Sequence, residues 1–346
     1  MKRVFAPVFL LSALAMAIPA HAQTVIANRG ASGERPEHTL AAYELAIEEG
    51  ADFIEPDLVP TKDGVLVARH ENEISGTTDV ADHPEFADRM ATRTIDGKEV
   101  SGWFTEDFAL AELKTLRARE RLPEIRPANA EYDGMFEIPT FAEIIALVKA
   151  KEAETGRRIG LYPELKHPSY FKGLGSEVAG TLLAALDGAG YREAGDPVFI
   201  QCFEIGTLAR LKRATKLRLV QLVEAEGAPA DLPAVPYSAL VSPDGLAGIA
   251  QYADAIGADI RLLLMPDGSP TALVANAHAA GLEVHAWTLR RENYFLPQSL
   301  KTSDDPQARG NYEALWRLLK AAGVDAVFTD NPADAVAARQ ALRANT

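Results

Sequence analysis

Three carboxylates of this sequence follow short apolar runs, at places where the strands of a sheet would end. Glu55 and Asp57 close one run, and Glu164 closes another. Because three carboxylates at one edge of a sheet repel one another unless a cation lies between them, their arrangement predicts a metal site. Ligands that offer only oxygen favour Ca²⁺ or Mg²⁺ over zinc. Any one of the three could instead be a solvated acid at the start of a loop.

Two cationic side chains accompany these carboxylates. Arg29 follows the first apolar run and precedes a glycine-rich turn at 30–33, and Lys166 shares a strand face with Glu164. A planar guanidinium fits a phosphodiester with two free oxygens, and an ammonium group adds a point charge on the same phosphate. Each residue alone is typical of a surface ion pair. Together, in a chain this acidic, they favour a phosphate site.

One histidine, His70, lies at the end of a further apolar run. Imidazole titrates near neutrality, so His70 is the natural proton shuttle of such a site. The other histidines have weaker cases. His38 lies at a helix start, and His167 and His285 belong to strand regions without an evident partner.

Two more residues have two interpretations each. Trp287 ends a late apolar run, where a tryptophan either packs in the core or forms a wall that binds an apolar face of a substrate. Glu37 is first a helix-start acid, which the helix dipole favours, and second a supporting residue of the site.

Short β-like runs alternate with helical runs along the sequence, and this alternation indicates an α/β protein with a parallel sheet. Such a sheet would position the residues described above. The predicted strands are 24–28, 53–58, 65–69, 159–165, 197–203, 218–223, 258–264, 283–288 and 325–329. The predicted helices are 37–49, 140–153, 205–215, 270–280 and 311–322, most of them closed by a glycine. Nine strands are one more than a TIM-type (β/α)8 barrel contains.

The dipeptide Asp-Gly at 63–64 accounts for the extra strand. Asp-Gly between two β-like runs signals a two-residue hairpin, so the flanking runs would pair antiparallel and leave eight parallel strands. This register predicts Asp57 opposite His70. The alternative keeps 65–69 as an ordinary barrel strand, and it also leaves His70 at a strand end.

Residues 1–22 have the pattern of a signal peptide, with two basic residues, an apolar stretch and a small-x-small cleavage site. We therefore expect a periplasmic or secreted protein whose residues 23–346 form a single barrel domain. The apolar stretch is shorter than the roughly 20 residues that span a bilayer, so we expect no stable membrane anchor. The polar segment at about 72–135, rich in Gly and Pro, predicts an insertion over the barrel mouth.

Charge and cysteine content exclude some classes of protein. Without residues 1–22 the formal net charge changes from −14 to −16, which argues against nonspecific binding to nucleic acid or to anionic membranes. Cys202 is the only cysteine, so no internal disulfide is available. We expect a small-molecule partner, and the sequence gives no indication of an oligomeric state.

These residues and their order resemble the glycerophosphodiester phosphodiesterases, in particular the secreted bacterial branch. The matching segments are 25–33, 36–40, 50–58, 61–64, 164–166, 201–203, 287–288 and 329–332. The resemblance implies a barrel with a family-specific insertion, a divalent cation that is often Ca²⁺ in the secreted branch, and cleavage of glycerophosphodiesters to glycerol 3-phosphate and an alcohol. Carried over residue by residue, it implies Glu55, Asp57 and Glu164 as metal ligands, Arg29 and Lys166 as phosphate contacts, and His70 and position 28 as the places of the two catalytic histidines. We also expect Arg29 to take part in catalysis and Trp287 to contact the substrate.

The sequence departs from the family at position 28, where Asn28 replaces a catalytic histidine before the Arg-Gly pair. The resemblance implies two histidines, one of which takes a proton while the other gives one. Asparagine forms hydrogen bonds but transfers no proton near neutrality. The loss of one such group typically lowers the rate by about 10²–10⁴-fold.

Three explanations of Asn28 remain open: a substitution made to trap substrate, a natural change in a slow enzyme, or a natural loss in a binding protein. The functional hypotheses are accordingly a phosphodiesterase with reduced turnover, a phospholipase of the related barrel superfamily, and a secreted protein that binds without catalysis. The absence of a basic or amphipathic docking helix argues against the phospholipase.

Overall fold

The computed structural model describes residues 23–344, so the predicted signal peptide lies outside the described residues. The chain alternates strands and helices from one end of this range to the other. The strands are β1 (Thr24–Asn28), β2 (Phe53–Glu55), β3 (Asp57–Pro60), β4 (Leu66–Ala68), β5 (Ala91–Ile95), β6 (Lys98–Gly102), β7 (Gly160–Leu161), β8 (Glu164–Leu165), β9 (Phe199–Cys202), β10 (Arg218–Val223), β11 (Ala255–Asp259), β12 (Glu283–Leu289) and β13 (Ala326–Thr329).

The helices cover the outside of this sheet, and short 3₁₀ helices occur in the connections. The α-helices are α1 (Leu40–Glu48), α2 (Leu110–Leu113), α3 (Pro127–Ala130), α4 (Phe141–Thr155), α5 (Pro168–Gly173), α6 (Val178–Gly188), α7 (Ile205–Ala214), α8 (Tyr237–Leu240), α9 (Pro243–Ile249), α10 (Ile260–Leu263), α11 (Leu273–Ala279), α12 (Tyr312–Ala321) and α13 (Pro332–Ala344). The 3₁₀ helices are Val80–Asp82, Pro84–Arg89, Thr105–Asp107, Asn293–Phe295 and Gln298–Leu300. No helix among the described residues is long and apolar enough to cross a membrane.

The parallel strands form the predicted barrel. β2 and β3 are two halves of one strand around Pro56, and β7 and β8 are likewise two halves of another. β1 pairs with β13 and β2, β2 pairs with β7, and β3 pairs with β8. From β8 the parallel pairing continues through β9, β10, β11 and β12 to β13, which closes the ring. The TIM-type fold class is therefore confirmed, with eight parallel strands among the described residues once the halves are joined.

The predicted antiparallel hairpin is present as β3 and β4, but its predicted register is wrong by one residue. The loop contains three residues, 62–64, and Gly64 adopts a φ of +80°. A left-handed glycine of this kind closes a three-residue hairpin loop, whereas the prediction assumed two residues. Asp57 is therefore paired with Arg69, whose backbone N donates to the Asp57 carbonyl over 3.0 Å, and His70 follows one residue later.

Two other boundaries differ from the prediction. The predicted strand 258–264 is the end of β11 followed by α10, because the Asp259 side chain accepts a hydrogen bond from the backbone N of Arg261 and begins a helix there. The predicted helix 37–49 begins later, at Leu40, and Thr39 is its N-cap. Seven α-helices of the described residues lie outside every predicted helix and strand: α2, α3, α5, α6, α8, α9 and α13.

Apolar side chains fill the barrel in two groups. A large cluster lies between the sheet and the helices, and a smaller one fills the inside of the barrel. The smaller cluster comprises Ile26, Tyr162, Phe199, Val220, Ala255, Ala326 and Phe328. Because this interior is closed by packed side chains, the polar residues at the carboxyl ends of the strands face a cavity above it.

The segment between β4 and α4 carries its own hairpin, formed by β5 and β6. Asp96 and Gly97 connect these strands with φ angles of +48° and +78°. Two successive positive φ angles define the two-residue turn that Asp-Gly favours. Asp96 and Lys98 line the cavity at the barrel mouth, so the turn of this hairpin lies beside the site.

Candidate active site

One cavity of about 760 Å³ lies at the carboxyl ends of the barrel strands. Every site residue that the sequence predicted lines it. These residues are Asn28, Arg29, Glu55, Asp57, His70, Glu164, Lys166 and Trp287. The expectation that parallel strands bring separate segments together at one edge therefore describes this cavity correctly.

The three predicted metal ligands form a tight group. Glu55, Asp57 and Glu164 each offer a carboxylate oxygen, and these oxygens lie within 4.8 Å of one another. All three side chains are buried. Burial, followed by repulsion from Asp57, raises the pKa of Glu164 to about 8, although Lys166 opposes the change. A buried group of oxygen-only ligands at this spacing fits a hard divalent cation.

A fully buried histidine holds one of these carboxylates. His38 Nε2 lies 2.9 Å from Asp57 Oδ2, and its Nδ1 lies 2.7 Å from the Tyr43 hydroxyl. Burial lowers the pKa of His38 although Asp57 raises it. His38 is absent from the cavity wall. It therefore fixes the orientation of Asp57 and has no access to a substrate, a role that its position before α1 did not reveal.

Arg29 is held in place by acidic neighbours. Its Nη1 lies 3.0 Å from Glu37 Oε2, and its Nε lies 3.4 Å from Asp57 Oδ2 without hydrogen-bond geometry. Its backbone N donates to Glu55 Oε2 over 2.8 Å. The Nη2 atom makes no hydrogen bond to the described residues, which leaves one face of the guanidinium for a ligand.

Glu37 supports Arg29 and does not cap a helix. It precedes the N-cap Thr39, and α1 has no acidic residue in its first turn. It accepts hydrogen bonds from Arg29 and from Nε of Arg121, the latter over 2.9 Å. Its first predicted role as a helix-start acid is therefore wrong. The structure places Glu37 beside Arg29, which agrees with its second interpretation as a supporting residue of the site.

Lys166 is buried beside the carboxylates. Its Nζ lies 3.0 Å from Glu164 Oε1. Burial alone would lower the pKa of Lys166, but Glu164 and Asp57 raise it above its usual value, so the ammonium remains charged. A charged ammonium and a guanidinium thus line the same cavity as the carboxylates, as binding of a phosphate requires.

His70 lines the cavity and is partly exposed. Its Nδ1 lies 3.0 Å from Glu71 Oε1. Burial, followed by the positive charges of Arg29 and Lys166, lowers the pKa of His70 to about 4. The imidazole is therefore neutral near pH 7. The Glu71 carboxylate beside Nδ1 favours the tautomer that carries its proton on Nδ1, which leaves on Nε2 the lone pair that can accept a proton.

Asn28 is held by an ionised aspartate. Its Nδ2 donates to Asp330 Oδ1 over 2.8 Å. The other oxygen, Asp330 Oδ2, accepts from Arg126 Nη2 over 2.7 Å and from Arg290 Nε over 2.8 Å. Burial would raise the pKa of Asp330, but Arg290 and Arg126 lower it well below its usual range. Position 28 therefore lies against a fixed negative charge that would also orient a histidine.

Trp287 forms part of the cavity wall. It is half-buried, and its Nε1 donates to the Gly257 carbonyl over 2.9 Å. Its ring centroid is 6.1 Å from that of Phe203, which lies 6.3 Å from the Tyr237 ring. All three aromatic residues line the cavity. Trp287 also packs against the apolar cluster inside the barrel, so it combines the two predicted locations.

The sequence analysis did not select several residues that line or support the cavity. Gln201 Nε2 donates to Glu55 Oε1 over 2.9 Å. Asp330 is not part of the cavity wall, but it holds Asn28, which lines the cavity. It follows an apolar strand just as Glu55 does, so the same strand-end rule could have selected it. Glu71 and His167, which line the cavity with Asp96, had no signal in local sequence because their partners lie far along the chain.

Comparison with known proteins connects this geometry with one family. The family model described as the glycerophosphoryl diester phosphodiesterase family matches residues 29–334. A glycerophosphodiester phosphodiesterase of Arabidopsis thaliana is 38% identical over 325 residues, which cover 88% of this chain and 82% of that protein. One of Haemophilus influenzae is 31% identical over 336 residues, which cover 89% of this chain and 87% of that protein.

Solved structures show the same fold. A putative glycerophosphoryl diester phosphodiesterase from Silicibacter pomeroyi matches with a TM-score of 0.65 and 20% identity over 93% of this chain and 94% of that one. A phosphodiesterase from Oleispira antarctica, solved in complex with the product sn-glycerol-3-phosphate, matches with a TM-score of 0.62 and 23% identity over 92% of this chain and 97% of that one.

Proposed function

Because the chain belongs to the glycerophosphoryl diester phosphodiesterase family, whose members are phosphoric diester hydrolases, we propose that it hydrolyses glycerophosphodiesters to glycerol 3-phosphate and an alcohol. The observation that carries the proposal is the cavity itself. It brings three buried carboxylates, a guanidinium, an ammonium and a neutral imidazole to the carboxyl end of one barrel. These are the groups that bind a phosphodiester and move a proton within it.

Glu55, Asp57 and Glu164 would hold a divalent cation, with Ca²⁺ as the first candidate and Mg²⁺ as the second. The close group of buried carboxylate oxygens supports this assignment. When bound, such a cation neutralises and polarises phosphate oxygens. Gln201 and His38 keep two of the ligands in place through their hydrogen bonds to Glu55 and Asp57.

Arg29 and Lys166 would bind the phosphate. Arg29 has a free Nη2 atom and is fixed by Glu37, so it loses little freedom when it binds an anion. Lys166 keeps its charge although it is buried. Charge-assisted hydrogen bonds from both would stabilise the negative charge that grows on phosphorus oxygens during attack.

His70 would accept a proton at Nε2 from the attacking hydroxyl, which belongs either to water or to the glycerol moiety of the substrate. Attack by the glycerol hydroxyl gives a cyclic phosphate, which water must then open to give glycerol 3-phosphate. The new P–O bond forms as the bond from phosphorus to the leaving alcohol breaks, and the departing alkoxide must then gain a proton. Asn28 cannot supply it. We therefore propose that leaving-group protonation limits turnover, with water as the proton donor.

The test compares this chain with Asn28→His on glycerophosphocholine and glycerophosphoethanolamine, with Ca²⁺, with Mg²⁺ and with chelator. We expect cation-dependent hydrolysis and a rise in kcat of about 10²-fold or more in Asn28→His, because Asp330 would orient the new imidazole. Glu99→Ala, on an exposed strand position outside the cavity, is the matched control. If neither chain hydrolyses either diester with any cation, the proposed function is wrong.

A binding protein on the same fold is the second candidate, and Asn28 is the observation that favours it. It predicts that calorimetry detects binding of glycerol 3-phosphate in the presence of cation while Asn28→His gives no turnover. Hydrolysis of a micellar lysophospholipid that exceeds hydrolysis of the soluble diesters would instead support a phospholipase.

We also propose that the protein is exported and acts in the periplasm or outside the cell. The support is the pattern of residues 1–22, with its basic start, apolar stretch and small-residue cleavage site. Fractionation of cells that express the full chain, with N-terminal sequencing of the product, tests this. A mature protein that begins at Gln23 in the periplasmic fraction is expected, and an unprocessed cytoplasmic chain would contradict the proposal.

A further inference from the structure

Three charged residues at the cavity rim have no part in the proposed reaction, yet they connect the β5–β6 hairpin with His70. We propose that Asp96, at the turn of that hairpin, positions the His70 imidazole through His167 and Glu71. The kinetic consequences of this proposal rest on the proposed function, but its structural consequences do not. The three are positioning residues, since they act on the reaction through His70.

The link is a continuous row of short contacts. Asp96 Oδ2 lies 2.6 Å from His167 Nδ1, and His167 Nε2 lies 2.9 Å from Glu71 Oε2. The second oxygen, Glu71 Oε1, lies 3.0 Å from His70 Nδ1. Both ring nitrogens of His167 and both carboxylate oxygens of Glu71 are engaged in this row, so a change at Asp96 reaches the contact with His70.

The charges fix the direction of each hydrogen bond. Burial would lower the pKa of His167, but its hydrogen bonds to Asp96 and Glu71 raise the pKa to about 9. His167 is therefore an imidazolium near pH 7 and donates from both nitrogens. The hydrogen bonds from His167 and His70 lower the pKa of Glu71, although burial opposes them. Glu71 is thus a carboxylate, and its negative charge 3.0 Å from His70 Nδ1 favours the tautomer that carries its proton on that nitrogen.

The backbone holds the row in this arrangement. His167 has a φ of +47°, in the left-handed region that non-glycine residues rarely adopt. It lies between β8 and α5, so the site strand that carries Lys166 also presents this ring to the hairpin. Asp96 occupies the two-residue turn of the hairpin. The ring of His167 therefore connects the segment that covers the mouth with the segment that carries the catalytic imidazole.

The consequence for chemistry lies in the His70 tautomer. With the proton on Nδ1, beside Glu71, the Nε2 atom is unprotonated, and it makes no hydrogen bond to the described residues. That atom is the one that would accept a proton from the attacking hydroxyl. When the hairpin turn is removed from His167, Glu71 loses its fixed position, and the preference for this tautomer weakens.

The rival explanation is an ion cluster at the rim that has no effect on His70. The side chains of Glu71 and Asp96 are 47% and 32% exposed, and exposed ion pairs are often energetically neutral. The two explanations differ in what happens to His70 when Asp96 is changed. A rim cluster predicts no change, and a positioning row predicts a change in the tautomer.

The direct test is nitrogen NMR of the imidazoles near pH 7 in three chains: wild type, Asp96→Gly and Glu99→Ala. Glycine accepts the positive φ of the turn, so Asp96→Gly removes the carboxylate while the hairpin remains intact. The spectrum of His70 is assigned by its loss in His70→Gln. We expect one Nδ1-protonated form in wild type and in Glu99→Ala, and a mixture of tautomers in Asp96→Gly. Identical His70 signals in all three chains would overturn the proposal, whether or not the protein hydrolyses a diester.

Kinetics on glycerophosphocholine give the second readout if the wild type is active. Asp96→Gly and Glu71→Gln should lower kcat, by about 3-fold to 10-fold for the distant residue and by about 10-fold to 100-fold for the adjacent one, with KM nearly unchanged. Asp96→Asn keeps an acceptor for the His167 proton and should recover part of the loss. A loss confined to KM would show that the hairpin binds substrate and does not position His70.

Discussion

His167 should make the stability of this protein fall as the pH rises from about 6 to about 9.5. Its pKa in the folded chain is raised from the ordinary value of 6.5 to about 9 by Asp96 and Glu71 against the opposing effect of burial. A group whose pKa is raised on folding stabilises the folded state fully below its unfolded pKa. That contribution is lost as the pH rises through the folded pKa, so it disappears between about pH 6.5 and pH 9.

The magnitude follows from the two pKa values. At 1.36 kcal/mol for each pH unit, the difference corresponds to about 3 kcal/mol as an upper limit. His167 itself is mostly buried, but its two partners are 47% and 32% exposed, and water weakens their attraction. We therefore expect about 1–2 kcal/mol.

The perturbation is His167→Gln, which keeps a hydrogen-bond donor but carries no titratable charge. Urea unfolding of both chains at about pH 6, pH 7.5 and pH 9.5, with chelator present, gives the free energy of unfolding at each pH. The wild type should exceed His167→Gln by about 1–2 kcal/mol at the lowest pH and by nearly nothing at the highest. Other groups that titrate in this range are present in both chains and cancel in the difference.

A difference between the two chains that stays constant over this pH range would refute the reasoning, because it would show that the substitution changes packing alone. A difference that grows with pH would contradict the sign of the pKa change. Glu99→Ala on the same surface should give a difference from wild type that does not depend on pH in this range, which checks that the hairpin itself remains folded.

Three other perturbations test the site. A divalent cation at about 100 times its Kd should stabilise the chain by about 2.7 kcal/mol, which for a domain of this size raises Tm by about 4 °C in calorimetry. Glu164→Gln should abolish most of this rise in Tm. A rise of equal size in that variant would exclude the carboxylate site. Asp330→Asn leaves the buried Arg126 and the partly buried Arg290 without their shared carboxylate and should lower the free energy of unfolding by about 3–5 kcal/mol in urea; a loss below 1 kcal/mol would show that these charges are solvated. Lys166→Gln should lower kcat/KM by about 30-fold, the value of one charge-assisted hydrogen bond of about 2 kcal/mol, whereas the exposed Lys62→Gln should leave kcat/KM unchanged.

The sequence determined the barrel and the composition of its mouth. Alternating β-like and helical runs leave few topologies, and parallel strands joined by helices all end at the same edge. Strand-end residues such as Glu55 and Glu164, more than 100 positions apart in the chain, must then meet at that edge. The cavity wall accordingly contains Glu55, Asp57, Glu164 and His70, the strand-end residues that the sequence analysis selected.

Local signals failed where a single residue in a turn decides the outcome. The sequence analysis predicts a two-residue turn at Asp-Gly 63–64, and the same dipeptide connects β5 and β6 at 96–97. The second is such a turn, but the first is part of a three-residue loop in which only Gly64 has a positive φ. One extra loop residue shifts the register by one, which is why Arg69 and not His70 pairs with Asp57.

Only the tertiary structure decided which polar groups hold the reacting ones. Asn28 and Asp330 are 302 positions apart, and Asp96 and His167 are 71 apart, so no periodicity or spacing connects either pair. A hydrogen bond depends on angles and on distances of a few tenths of an ångström, which are set when the helices and loops pack around the barrel. The sequence therefore specified the residue types at the mouth through strand order, and the packing of distant segments specified their orientation and protonation.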